Sequence, residues 1–237
     1  MKGETGLIPQ KRKFCRQCGN RWRFLLVATL VMGLASGLRA QSAASGVAQA
    51  AARVDRHYNA LRSLEVHFVQ TYTGMGMNRK ESGVLLLKKP GKMRWTYTDP
   101  DGKVFVLDGK FGYFYSPGET EAQKVDEKKL DDLRSPLRFL LGHTELAKEL
   151  GGLHGSCDGS GACELAGVPK GLEQRVSSLK ITAAADGTIR SMTIEETDGV
   201  TNQFTFSGEA DNVPAADAAF VFVPPAGVHV VEGEPPV

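Results

Sequence analysis

Alternating apolar and polar residues predict a row of β-strands between residues 83 and 115. Met93, Trp95 and Tyr97 fall on one face of a strand over residues 92–98, and polar residues separate them. Three further segments are apolar or aromatic-rich, namely residues 83–88, 104–107 and 111–115. Pro-Gly, Asp-Pro-Asp-Gly and Asp-Gly sequences stand at the joints, so the pattern predicts an antiparallel meander.

Helical spacing predicts a helix that precedes the strands. Val47, Ala51, Val54, Tyr58 and Leu61 recur at steps of four and three residues, which places them on one face. Strand-like alternation replaces this spacing near residue 63. It predicts a strand over residues 64–72, followed by a flexible turn over residues 74–78.

A second helical region is predicted from Ser135 to Leu150, where Ser135 is a favourable N-cap and Pro136 fits the first helical position. Three residues share its apolar face: Leu137, Leu140 and Leu141. Strands are predicted over residues 177–183, 189–196, 202–207 and 220–223, with a further short strand in the tail 226–231. This order indicates an α+β fold dominated by antiparallel sheet, and residues 41–237 are expected to form one domain.

The N-terminal segment has the pattern of a secretory signal peptide. Basic residues precede an apolar run over residues 24–38, and Arg39-Ala40 follow, which predicts a signal over residues 1–40. An uncleaved anchor is the alternative, although the run is shorter than the roughly 20 residues of a spanning helix.

Removal of residues 1–40 changes the charge of the protein. These residues hold eight of the 29 basic residues and one of the 27 acidic residues, so 21 basic and 26 acidic residues remain, a formal charge of −5. That balance argues against nucleic acid and against anionic membranes as partners.

The cysteines fit an exported protein. Cys15 and Cys18 lie within the basic segment, and a lone CxxC is weak evidence for zinc. Cys157 and Cys163 flank a glycine-rich loop and are predicted to form a disulfide in an oxidising compartment. No histidine set accompanies either pair, so no metal site is expected.

The sequence lacks the motifs of common enzymes. It contains no HExxH, no GxSxG and no glycine-rich phosphate loop after a strand, and its five histidines are scattered along the chain. We therefore predict that the protein is not an enzyme and uses no cofactor.

The ordered set of turns and aromatic residues resembles the LolA family of periplasmic lipoprotein carriers. The similar positions are Phe68, Gln70, Lys89-Pro90, Trp95, Asp99-Pro100, Asp108-Gly109, Tyr113, Tyr115, Asp198-Gly199, Asn202, Phe204, Phe206 and the FxFxPPxGV pattern over residues 220–228. The similarity covers nearly all of residues 45–231.

This resemblance implies an unclosed antiparallel β-barrel, or half-barrel, with short helices that cap a hydrophobic cavity. It also implies a periplasmic carrier that shuttles acylated lipoproteins from the inner membrane to the outer membrane. The implied partners are an inner-membrane ABC exporter and an outer-membrane receptor, and no cofactor takes part. Net charge and the capped architecture favour a monomer.

Cavity, lid and latch can be assigned to residues on this basis. The expected cavity lining consists of Met93, Trp95, Tyr97, Phe105 and Leu107. The expected lid consists of Val54, Tyr58, Leu61, Leu137, Leu140 and Leu141. Family members commonly place a lid-holding arginine before the proline that matches Pro90, and here that position is Lys89. Lysine offers three donors on a flexible stem where arginine offers a rigid fork of five, so the latch is expected to be weaker.

Two alternatives remain open from the sequence. The same half-barrel can carry phospholipid or glycolipid, because acyl chains look alike to an apolar cavity. It can also serve as a sensor of lipids or of mislocalised lipoproteins.

Overall fold

The computed structural model describes residues 46–127 and 145–233. In the first range, helix α1 covers residues 46–60, and the strands are β1 (Ser63–Gly74), β2 (Met77–Lys88), β3 (Lys92–Asp99), β4 (Asp101–Asp108), β5 (Phe111–Tyr115) and β6 (Glu121–Asp126). In the second range, the elements are α2 (Leu146–Glu149), β7 (Leu150–Cys157), β8 (Cys163–Pro169), β9 (Val176–Ala183), β10 (Ile189–Glu196), β11 (Thr201–Asp211), a 3₁₀-helix (Asp217–Phe220) and β12 (His229–Glu232).

The twelve strands of the described residues form one sheet in the order β12-β6-β5-β4-β3-β2-β1-β11-β10-β9-β8-β7. Every neighbouring pair is antiparallel except β12 and β6, which run parallel. Because β7 and β12 do not pair with each other, the sheet that these residues form is open. The prediction of an unclosed, mostly antiparallel sheet is confirmed.

The predicted meander is present, and the first hairpin is longer than expected. Strand β1 continues to Gly74 and β2 starts at Met77, so only Met75 and Gly76 form the turn. Both have positive φ, 51° and 73°, which is the backbone that a two-residue hairpin turn requires.

One face of the sheet is covered by helix α1 and is called the inner face below. The predicted apolar face of α1 is buried against this sheet, from Val47 to Leu61. A single hydrophobic core joins α1 to strands on both sides of β1, from Leu107 on β4 to Leu165 on β8. No helix in the two described ranges is long and apolar enough to span a membrane.

The C-terminal segment lies against the opposite, outer face of β3 to β5. Arg94 donates a hydrogen bond from Nη1 to the carbonyl oxygen of Ala219 at 3.2 Å, and Phe222 stacks on Tyr113 at 5.3 Å. Val106, whose strand neighbours face the core, is completely buried on this outer side. Arg94 therefore lies opposite Trp95, as the alternation predicts.

The strand predicted over residues 220–223 is wrong. Phe220 ends the 3₁₀-helix, and residues 221–225 pair with no strand. Pro224 and Pro225 have no N–H to donate to a ladder, and the side chains of Arg94 and Tyr113 hold the segment instead. The tail does add a strand, β12, as predicted.

The second predicted helical region lies only partly within the described residues. Residues 135–141 lie outside the described residues, so the predicted face of Leu137, Leu140 and Leu141 is not described. Within residues 145–150 only Leu146–Glu149 is helical, and Leu150, expected to end the helix, already begins strand β7. Strands β6, β7 and β8 were not predicted, because glycine and charged residues hide their alternation.

Candidate functional site

The five predicted cavity residues lie together on the inner face. Met93, Trp95 and Leu107 are buried, and Tyr97 and Phe105 are half-buried against the same core. Strand register accounts for this grouping, because Met93 is paired with Leu107 and Trp95 with Phe105. Directly opposed residues of neighbouring strands share a face.

Aromatic residues of two other strands, β1 and β11, pack against Trp95. Phe68 of β1 packs edge-on against Trp95, with ring centroids 4.6 Å apart, and against Tyr97 at 5.1 Å. Phe204 of β11 lies 5.6 Å from Trp95 and stacks parallel to Phe206. Phe68, Phe204 and Phe206 are not among the predicted cavity residues, although they lie on predicted strands in alternation with polar residues.

The indole N–H of Trp95 has a hydrogen-bond partner within the protein. Its Nε1–H donates to the sulfur of Met93 at 2.8 Å. Thioether sulfur is a weak acceptor, so this contact leaves the surface around Trp95 essentially apolar.

Helix α1 closes the inner face through the predicted lid residues Val54, Tyr58 and Leu61, all of which are buried. The Tyr58 hydroxyl donates to Oε2 of Glu209 at 2.9 Å and accepts from the backbone N–H of Ile189 at 3.0 Å. Burial, followed by the nearby Glu209 carboxylate, raises the pKa of Tyr58 well above its usual range. The hydroxyl therefore stays protonated and serves as a fixed tie between helix and sheet.

Lys89 contacts the C-terminal end of this helix. Its Nζ donates to the carbonyl oxygen of Tyr58 at 2.7 Å, and this oxygen also accepts a hydrogen bond from the N–H of Leu61 at 3.2 Å. The last four carbonyls of a helix have no partner within it, and a cation is favoured at that end by the helix dipole. Partial burial lowers the pKa of Lys89.

Among the described residues, a small cavity lies between α1 and the sheet. Its volume is about 10 Å³, which is room for about one water molecule. It is lined by Tyr58, Leu64, Val66, Leu85, Ile189, Met192, Phe206 and Glu209. Helix α1 thus covers this part of the inner face, an arrangement called the closed form below.

The predicted disulfide is confirmed. Cys157 and Cys163 are bonded, with an S–S distance of 2.09 Å, and lie directly opposite each other where β7 and β8 meet. Nη2 of Arg53, on α1, donates to the Gly161 carbonyl in the same hairpin loop at 3.3 Å. The disulfide thus fixes a hairpin that contacts helix α1.

The fold and its inner face define a class of protein in which an open sheet is built around an apolar interior and covered by a tethered helix. Its sequence relatives agree with that class. The profile of the family described as "Outer membrane lipoprotein carrier protein LolA" matches residues 59–223, and the chain belongs to this LolA family. LolA proteins are carriers, and the chain is not an enzyme.

Individual relatives span most of the chain. It is similar to the outer-membrane lipoprotein carrier protein of Chromobacterium violaceum, with 30% identity over 206 residues, 85% of this chain and 94% of the relative. The protein of the same name from Cupriavidus necator is 32% identical over 166 residues, 67% of this chain and 76% of the relative. A solved LolA superfamily structure from Nitrosomonas europaea covers 74% of this chain and 97% of its own, with 11% identity and a TM-score of 0.41.

Proposed function

We propose that this protein is a periplasmic carrier that binds the acyl chains of lipoproteins between helix α1 and the inner face of the sheet. It shuttles them from the inner membrane to the outer membrane. The observation that carries the proposal is an apolar inner face, continuous from β4 to β8, beneath a helix held by a few polar ties, in a member of the LolA family.

The energetics favour reversible loading. Displacing α1 exposes four large side chains, those of Val47, Val54, Tyr58 and Leu61. At about 1.5–3 kcal/mol each, this costs about 6–12 kcal/mol. An acyl chain with about 15 CH₂ groups gains about 12 kcal/mol on burial, at about 0.8 kcal/mol per group. The two quantities are of similar size, so cargo can replace the helix face and can also be released.

Particular residues have particular roles in this proposal. Acyl chains contact Met93, Trp95, Tyr97, Phe105 and Leu107 once α1 moves. Val54, Tyr58 and Leu61 belong to the lid, together with Leu137, Leu140 and Leu141 of the predicted second helix. Lys89 is the latch, because its ammonium group binds the helix carbonyl that would move away on opening.

Handover requires two partners, which we propose to be an inner-membrane ABC exporter of lipoproteins and an outer-membrane receptor. The signal predicted over residues 1–40 delivers the chain to the periplasm. The processed protein, residues 41–237, then acts as a single-domain monomer.

An apolar dye that fluoresces in hydrophobic surroundings tests the proposal. The purified, secreted protein is loaded with the dye, and a triacylated lipoprotein, the same protein without acyl chains, and phospholipid vesicles are added separately. Displacement by the acylated lipoprotein alone supports the carrier function. Equal displacement by phospholipid indicates a general lipid carrier. Absence of dye binding would mean that the inner face does not open, and it would contradict the carrier function.

A further inference from the structure

A histidine and two carboxylates meet where helix α1 crosses the end of strand β11. His57 Nε2 lies 2.7 Å from Oε1 of Glu209 and 4.0 Å from Oδ1 of Asp211. One ligand atom from each of the three residues can be chosen so that all lie within 4.8 Å of one another. About 150 residues separate His57 from the two acids in the chain.

A bulge in β11 presents the carboxylates to the helix. Phe204 and Phe206 face the core, and the pairing with β1 then shifts so that Glu65 opposes Ala210 while His67 opposes Ser207. Gly208 adopts a φ of 65° at this shift, where a Cβ would come within 3.1 Å of the His67 ring. Bulges re-aim side chains, and this one directs Glu209 to the residues of α1.

The cluster has one buried carboxylate, Glu209, and one exposed carboxylate, Asp211. The Glu209 side chain is only 8% exposed, and its second oxygen, Oε2, accepts a hydrogen bond from the Tyr58 hydroxyl. The Asp211 side chain is 44% exposed. Such an outer hydrogen bond fixes the orientation of a metal-binding carboxylate, and the exposed side provides an entry path.

Charge and spacing both suit a divalent cation. In the described parts of the chain, the ion pairs of Glu209 and Asp211 are made with His57, so two carboxylates share one imidazole. A tetrahedral site with bonds of about 2.1 Å separates its ligand atoms by about 3.4 Å. The observed distances of 2.7 Å and 4.0 Å bracket that value, and the ligand atoms of Glu209 and Asp211 lie within 4.8 Å of each other.

We propose that His57, Glu209 and Asp211 form a binding site for a divalent transition-metal ion, with Zn²⁺ as the best match. One imidazole with two carboxylates suits zinc and its neighbours better than Mg²⁺ or Ca²⁺, which prefer all-oxygen sites. The remaining coordination position is open to water on the exposed side. Since His57 belongs to α1 and the acids to β11, the bound ion clamps the helix to the sheet and holds the closed form. This last consequence rests on the proposed carrier function.

Titration calorimetry with ZnCl₂ alone tests the site on the secreted protein, from which the predicted signal has been removed together with Cys15 and Cys18. We expect one equivalent of Zn²⁺ and an upward shift of Tm. Asp211→Asn, on an exposed side chain, and His57→Gln should each weaken binding at least about tenfold. His154→Gln, on an exposed histidine elsewhere, is the matched control and should bind like the parent. Absence of zinc binding, or equal affinity in the parent and Asp211→Asn, would overturn the site.

The clamp is tested separately from the site by dye uptake with and without Zn²⁺. Zinc should weaken dye binding several-fold in the parent and leave Asp211→Asn unchanged. Zinc binding without any effect on dye uptake would overturn the clamp while retaining the metal site. Zinc binding in a protein that takes up no dye at all would instead contradict the carrier function.

Discussion

Replacing Tyr58 by phenylalanine should make the protein less stable and make it bind acyl chains more tightly. The substitution removes one hydroxyl from a buried ring and leaves the ring's packing intact. That hydroxyl ties α1 to the sheet twice, through Glu209 and through the Ile189 N–H. Both contacts exist only while the helix covers the inner face, so the closed form alone is weakened.

The magnitude follows from these two hydrogen bonds. A bond to a carboxylate contributes about 1.5–3 kcal/mol, and a buried N–H left without an acceptor costs about 1–3 kcal/mol. Because the two losses share one hydroxyl and are not additive, we expect a total of about 2 kcal/mol. At about 1.4 kcal/mol per tenfold, the fraction of open molecules rises about 30-fold. The dye Kd falls by the same factor while the closed form still dominates.

Urea denaturation and dye titration on the same preparations measure the two effects. Tyr115→Phe is the matched control, because Tyr115 is the cross-strand partner of Val104 on the outer side of the sheet. It should change neither quantity appreciably. If Tyr58→Phe lost about 2 kcal/mol of stability while its dye Kd stayed equal to that of the parent, α1 would not be the lid and the reasoning would fail.

Three other substitutions give distinct results. Lys89→Leu should lower the dye Kd several-fold and slow dye release, because the closed form loses about 1 kcal/mol with the hydrogen bond from Lys89. The control Lys88→Leu should leave both quantities unchanged. Unchanged transfer kinetics in Lys89→Leu would remove Lys89 from the mechanism. Hydrogen bonds from Lys88 and Lys92 lower the pKa of Asp217 from 3.8 to about 2. The Asp217 carboxylate therefore stabilises the folded protein fully above pH 3.8, and this contribution is lost as the pH falls through about 2. Asp217→Asn should therefore lower Tm at pH 7 and match the parent below about pH 2, and a gap that persisted there would refute this assignment. Replacing both Cys157 and Cys163 by serine should reduce the unfolding free energy by about 2 kcal/mol in urea, because the closed loop is short; an unaltered midpoint would contradict it.

The sequence predicted the meander well because local rules decide it. Met93, Trp95 and Tyr97 alternate with polar residues, and turn residues close each hairpin, so strand, face and register all follow from neighbours in the chain. The segment over residues 220–223 fails for the complementary reason. Its apolar alternation resembles a strand, but its position against the outer face depends on contacts with Arg94 and Tyr113, more than 100 residues earlier.

Part of the candidate site could likewise be predicted from the sequence, and part of it could not. The position of Lys89 beside Pro90 predicts its role from the sequence, and the structure shows the helix carbonyl to which its ammonium group donates. Glu209 had no signal at all. It lies on an ordinary polar stretch of strand, and only the bulge at Gly208 turns it towards Tyr58 and His57.

By itself, the sequence determined the strands of the meander and their apolar faces, the apolar face of helix α1, that Cys157 and Cys163 pair, and which family the chain resembles. These properties depend on residues close together in the chain, whose spacing and chemistry can be read directly. Only the tertiary structure decided that α1 packs on the inner face, that it is tied through Tyr58 and Lys89, and that a histidine meets two carboxylates. Those properties depend on how closely distant segments approach, which is set by packing and register over the whole sheet.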